Sequence, residues 1–234
     1  MLKIVLSIVG GAAVLGSPLG YRLGVAPLGL ALLVLVGGVA ISVVAFVLGT
    51  MSLVRGTQFG GLGAAVCLLL SAGAAFVPIW TVVSNAGVPA IHDITTDTVD
   101  PPLFEAVVPL RRTADNTLDY GGSELATAQK AAYPDLETLV VPASVDVVVA
   151  RARVVAEELG WEVVSSDPAG RLEATDTTLW FGFQDDVAVR VRPAADGASV
   201  VDVRSVSRVG QGDLGTNAKR IRLFLIQLRS TDFS

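Results

Sequence analysis

Polar and apolar positions are distributed along this chain as if it were two materials. No Asp or Glu precedes position 93, and only Lys3, Arg22 and Arg55 interrupt the first 92 residues. Three apolar runs lie there, at about 4–20, 25–49 and 59–83. A membrane-crossing helix needs roughly 17–25 such residues. The second and third runs contain no ionisable side chain and predict spans. The first is weakened by Gly10, Gly11, Gly16 and Pro18, and a signal peptide is its alternative reading. Pro18 directly after Gly16-Ser17 makes a poor cleavage site and another long run follows at once, so an uncleaved first span is expected.

Beyond residue 84 the periodicities change. Residues 85–122 carry Pro89, Pro101, Pro102, Pro109, Gly121 and Gly122 with little period, which predicts an extended tether. A soluble α+β domain is expected over 123–234. A short helix is predicted at 123–132, stopped by Pro134. Ser144 then caps a clearer one, in which Val145, Val148, Val149, Ala152, Val155, Ala156 and Leu159 recur at helical spacing before Gly160. Four strands follow, at 161–166, 171–177, 186–192 and 199–206, with turns at Asp167-Pro-Ala-Gly170 and Ala195-Asp-Gly197. If Val187, Val189, Val191, Val201 and Val203 share one face, Arg190 must oppose Asp202 and Ala188 must oppose Arg204. That puts valines on one face and an ion-pair ladder of Asp186, Arg190, Arg192, Asp202 and Arg204 on the other, as in a half-buried antiparallel sheet. A last helix at 216–229 has the stripe Ile221, Phe224, Leu225 and Leu228. The expected architecture is therefore N-terminal transmembrane helices, then a four-stranded antiparallel sheet packed in two layers against helices on its valine face. By analogy it is helix-grip-like, with a groove beside the long helix.

Charge sharpens the division. The first 92 residues carry +3 and the rest −8, for −5 overall. An acidic domain argues against nucleic acid, whose binding needs clustered cations. With three spans, Lys3 and Arg55 share one side and Arg22 takes the other, which favours a cytoplasmic N-terminus and an exported domain by about one charge; two spans would put both ends on one side and could reverse this. Spans free of ionisable residues suit a compact anchor better than a pump or channel. The small residues Gly37, Gly38, Gly60, Gly61, Gly63, Ser71, Gly73, Ala74 and Ala75 suit close helix packing. Cys67 is the only cysteine and sits in an apolar run, so no disulfide is expected.

Several motifs invite a chemical reading. Gly210-Gln-Gly212-Asp-Leu-Gly215 is a literal GxGxxG, but it follows a strand of a meander, and Asp213 would repel phosphate. A tight loop in which Asp213 caps the final helix is expected, with no nucleotide. Asp185 and Asp186 are adjacent in a strand and must point to opposite faces, so they do not form an acid–base pair. Asp185 is expected to serve the turn and Asp186 the ladder. His92 is the sole histidine and makes no metal site alone; no metal and no cofactor are expected. Arg190, Arg204 and Arg208 could gather an anionic headgroup, against internal salt bridges as the simpler reading. Trp180, Phe181 and Phe183 form a dense aromatic patch at a turn, either closing the core or meeting a partner or lipid.

Five ordered blocks resemble a known family. They are His92-Asp-Ile-Thr-Thr-Asp97 with Pro101-Pro102, then Ala132-Tyr-Pro-Asp135, Gly160-Trp-Glu-Val-Val164, Glu173 through Val187, and Val201 through Gly210 with Asp213 through Asn217. Over about 91–230 the chain resembles the domain of unknown function 1499 (DUF1499). The resemblance implies a typically bacterial protein whose relatives often carry lipoprotein signals or spans, and hence an extracytoplasmic domain. It implies no activity and no catalytic residues. The function expected is a non-enzymatic, membrane-anchored envelope module in a bacterial inner membrane. It would bind a protein partner or lipid through the groove or the Trp180–Phe183 patch. The alternatives are a hydrolase or transferase acting on an envelope substrate through Asp185, Asp186, Arg190 and Arg204, and a structural subunit whose helices are the working part.

Overall fold

The computed structural model describes residues 2–56 and 61–230. It divides into two compact units, Met1–Ala86 with Leu179–Gly182, and Gly87–Thr178 with Phe183–Ser234.

Within the first unit, among the described residues, three helices are long and apolar enough to cross a membrane: α1 (Leu2–Arg22), α2 (Leu28–Val54) and α3 (Leu62–Ser84). The expected start of the third run, 59–60, lies outside the described residues, as does 231–234 of the expected domain. Pro18 and Pro78 are accommodated inside helices. In an apolar medium an unpaired peptide group is so costly that the backbone stays helical through residues that would break it in water. Gly10 of α1 serves contact rather than interruption, whereas Gly16 meets open space. A Cβ on Gly10 would run into Ser42 Oγ, and one on Gly38 would fall only 2.9 Å from Ala13 Cβ and 3.0 Å from the backbone of Gly10 and Val14. The α1–α2 crossing therefore depends on two facing glycines. Ser7 of α1 bonds to Ser71 Oγ and lies 3.0 Å from Cys67 Sγ on α3. Of the small residues expected at contacts, Gly38, Ser71 and Ala75 are there, whereas Gly37 and Gly73 face open space.

The second unit is α+β. In chain order it contains β1 (Asp93–Thr95), α4 (Gly122–Ala132), β2 (Leu139–Val141), α5 (Val145–Glu158), β3 (Glu162–Asp167), β4 (Arg171–Thr177), β5 (Gln184–Pro193), β6 (Ser199–Ser207) and α6 (Thr216–Arg229). The sheet is antiparallel with order β1-β6-β5-β4-β3, and β2 also pairs with β6. It has six strands, not the expected four. The two additional strands are three residues each and lie end to end along one edge of β6, β1 against Val206 to Arg204 and β2 against Val201 to Ser199. Three residues are too few for a two-residue alternation to show. The β5–β6 register is the expected one, with Arg190 opposite Asp202 and Ala188 opposite Arg204.

One face of the sheet carries Leu172, Ala174, Val187, Val189, Val191, Val201 and Val203. Val148, Val149, Ala152, Val155 and Ala156 of α5 and Ala218, Ile221, Phe224 and Leu228 of α6 pack on it. Trp161 stacks on Phe224 with centroids 5.2 Å apart. These side chains fill the interval between helices and sheet. The opposite, polar face is buried as well. From Asp93 onward, the stretch expected as a tether is laid against it. Phe104 and Val107 pack there on Ala188 and Val206, and one 3₁₀ turn, Val108–Leu110, is its only helix before α4. Alternation along β5 and β6 shows that this face is polar, but not that a distant segment covers it.

Candidate functional site

The polar face is built from β4, β5 and β6, which aim Glu173, Asp186, Arg190, Arg192, Asp202, Arg204 and Arg208 at the covering segment. Every group meets a complement there. Arg204 is 1% exposed. Its guanidinium grips Asp93 through two bonds of 2.9 and 2.7 Å and donates further to the carbonyls of Pro102 and Leu118. The rings of Phe104 and Tyr120 lie 5.2 and 5.5 Å from it, a cation held between aromatic faces. Burial, with the Asp93 carboxylate close by, pushes the Tyr120 phenol up to about 12.

Arg190 donates to Asp97 at 3.1 Å, Asp100 at 2.8 Å and Asp202 at 3.1 Å. Asp202, fully buried, also accepts from Arg192 and from the hydroxyls of Thr96 and Thr138. Asp186 receives Arg208, Arg111 and Thr175. Burial opposes the charge on Arg208, but the bond to Asp186 and the carboxylate's field outweigh it and raise its pKa. Glu173 accepts the backbone amides of Glu105 and Val107, pinning the covering segment directly to β4. The acids of that segment thus match the arginines of the sheet.

Asp185 and Asp186 point to opposite faces. Asp185 does not serve the turn, as the sequence suggested; it lies within β5 and pairs with Arg220 of α6 at 2.6 Å. Arg220 also holds Asp176, and Asn217 beside it bonds Ser205, Ser207 and the carbonyl of His92. Asp185, Asp186, Arg190 and Arg204 therefore fall into four separate ion-paired groups. The Gly210–Gly215 loop is tight, with Leu214 in the left-handed region at φ 54° and Gly212 packed on Ala90. Asp213 accepts from the amides of Gly215 and Asn217 at 2.8 and 2.6 Å, so the first amides of α6 hold the chain's own carboxylate. Burial raises the pKa of that carboxyl despite these bonds. Among the described residues, no group of three His, Cys, Asp or Glu side chains could hold a metal.

The aromatic patch lies in the β4–β5 connection. The Thr178 amide donates to the Phe183 carbonyl, and the Phe183 amide to the Thr178 hydroxyl, closing the loop below its tip. At the tip Phe181 is buried, Trp180 is half-buried and meets it edge-on at 5.4 Å, and Leu179 is 91% exposed. Phe183 is half-buried. Leu179–Gly182 belongs to the same compact unit as the three helices.

Sequence reasoning missed Asp93, Asp97, Asp100, Arg111, Asn217 and Arg220 as partners. One signal was available: four acids at 93, 97, 100 and 105 precede a sheet whose polar face is rich in arginine.

Fold and site together define a class: a helical membrane anchor joined to an α+β domain whose sheet is sealed on both faces. Residues 93–228 match the family model DUF1499, described as a protein of unknown function, and the chain belongs to that family. No curated protein matches it.

Proposed function

We propose that the chain is a non-enzymatic, membrane-anchored module of the cell envelope. Its α+β domain is carried on the extracytoplasmic side of a bacterial inner membrane and binds a protein partner or a lipid. The observation that carries this reading is the contrast between the two candidate contacts. Arg190, Arg204 and Arg208 are each engaged by internal carboxylates, and an anionic ligand would have to displace them. The tip at 179–183 instead presents an apolar side chain to the outside beside aromatic neighbours, the composition that partner contacts favour. The two-layer arrangement is read as helix-grip-like. The interval that holds a ligand in such folds is filled here by Val148, Val155, Ile221 and Phe224, so the contact is assigned to the tip.

Sidedness rests on Arg22 lying opposite Lys3 and Arg55. It is tested with Leu103→Cys, since Leu103 is exposed. A membrane-impermeant maleimide should label this variant in intact spheroplasts; labelling only after lysis would reverse the orientation. The contact is tested by crosslinking in intact cells. Trp180→Ala/Phe183→Ala should remove the adducts of the native chain while leaving its thermal unfolding cooperative. Unchanged adducts would reject the tip.

A further inference from the structure

We infer that the tip of the β4–β5 connection is a membrane-interface anchor, and that the partner of Leu179 and Trp180 is the lipid headgroup region of the bilayer spanned by α1–α3. This rests on the reading that the 179–183 tip is the working contact and chooses its occupant.

Tyr21, Arg22, Trp80 and Leu179–Gly182 all lie in the first compact unit, with the three helices. Arg22 is the last residue of α1, and a guanidinium ending a span sits where lipid gives way to water. That guanidinium donates to the carbonyl of Leu179, and its aliphatic stem lies 3.2–3.5 Å from the position of a Cβ on Gly182. The backbone of the tip is therefore within one side chain's length of the boundary. Tyr21, the neighbouring residue of α1, has its ring 6.2 Å from that of Phe181. In a three-span chain α1 and α3 run the same way, so the end of α3 reaches the same boundary, and Trp80 lies one turn from that end. Tyr21, Trp80 and Trp180 are the ring types that collect at the lipid–water boundary, with an apolar body and a polar handle. Leu179, at 91% exposure, would be a poor terminus for a loop in water. Beside the end of a span it is continuous with an apolar surface already in lipid. A short apolar tip supplies a weak contact alone; attached to three spans it has only to orient, not to anchor.

The test uses the full chain in nanodiscs of phosphatidylethanolamine and phosphatidylglycerol. Leu179→Cys is labelled with a small fluorophore, and the buried Cys67 stays in place. Val25→Cys, in the exposed turn after α1, and Val140→Cys, on the exposed side of β2, are the references. A fluorophore at 179 that loses most of its emission to a lipid-borne nitroxide and little to aqueous iodide, like that at 25 and unlike that at 140, supports the proposal. Quenching by iodide as at 140 overturns it and leaves the tip open to a soluble partner. Protection from both quenchers also overturns it and points to a second copy of the chain seated on the tip, a protein contact in place of lipid. Because Leu179 is exposed, its substitution removes no internal packing. Cooperative unfolding of the labelled variant near the native temperature checks the fold.

Discussion

Arg204 is the residue on which the polar face turns. An arginine this deeply buried is tolerated only because Asp93 and two carbonyls satisfy its guanidinium and two rings flank it. Removing one partner of such a pair leaves a charge without compensation, which costs about 3–5 kcal/mol. Asp93→Ala should therefore destabilise the domain by about that much, read from urea unfolding of the detergent-solubilised chain by tryptophan fluorescence. By contrast Arg153→Ala, which breaks an exposed pair with Glu157 one helical turn away, should cost only about 0.3–0.5 kcal/mol. Equal effects would mean that the buried pair is not structural. Asp97 adds a pH dependence. Burial pushes its carboxyl up, but the amides of Asp100 and Val99 and the charges of Arg190 and Arg192 outweigh burial and hold it below the ordinary aspartate value. A carboxyl whose folded pKa is depressed contributes stability above its unfolded value, and that contribution is lost as pH falls through the folded one. Asp97→Asn should thus flatten part of the acid limb of a stability–pH curve below about pH 4; an unchanged limb would show that Asp97 contributes nothing there. At this scale the sequence was half legible. The two-residue period was enough to oppose Arg190 to Asp202. It could not name Asp97 or Asp100 as further partners, because they lie about 90 residues away with no local pattern joining them to β5.

At the scale of elements, legibility followed length and amphipathicity. Helices α5 and α6 and strands β3 to β6 are long enough for their periods to repeat, and each was expected close to its observed place. Strands β1 and β2 repeat nothing. The outer edge of β1 is satisfied by a side chain: Gln129 of α4 accepts from the Thr95 amide at 2.9 Å and donates to the Thr95 carbonyl at 2.6 Å, like one residue of a neighbouring strand. Gln129→Ala leaves both buried backbone groups without that partner and should cost about 1–3 kcal/mol. Hydrogen exchange should show the amide of Thr95 losing protection before the centre of β6; exchange identical to the native chain would contradict this role. The membrane helices make a matching pair of cases. Gly38→Leu would drive a side chain into Ala13 and the backbone of Gly10, overpacking that typically costs about 1–3 kcal/mol. Gly73→Leu meets open space and should leave thermal stability in detergent unchanged. Both glycines are equally small in the sequence; only the crossing of α1 and α2 distinguishes them.

Over the whole molecule, the onset of acidic residues at Asp93 marked the change from membrane to domain. The same residue begins β1 and binds Arg204. The sealing of the sheet was not legible, since it requires a proline-rich, aperiodic segment to fold onto a face that reads as solvated. That sealing underlies the functional proposal. With arginines engaged inside and the helix–sheet interval filled, the aromatic tip remains the contact that we propose. The most direct test places a photoreactive amino acid at Leu179, or at Leu103 on the covering segment, which is also exposed, and irradiates intact cells. The tip as contact requires lipid or protein adducts from position 179 and none from 103. Adducts from 103 with none from 179 would contradict it.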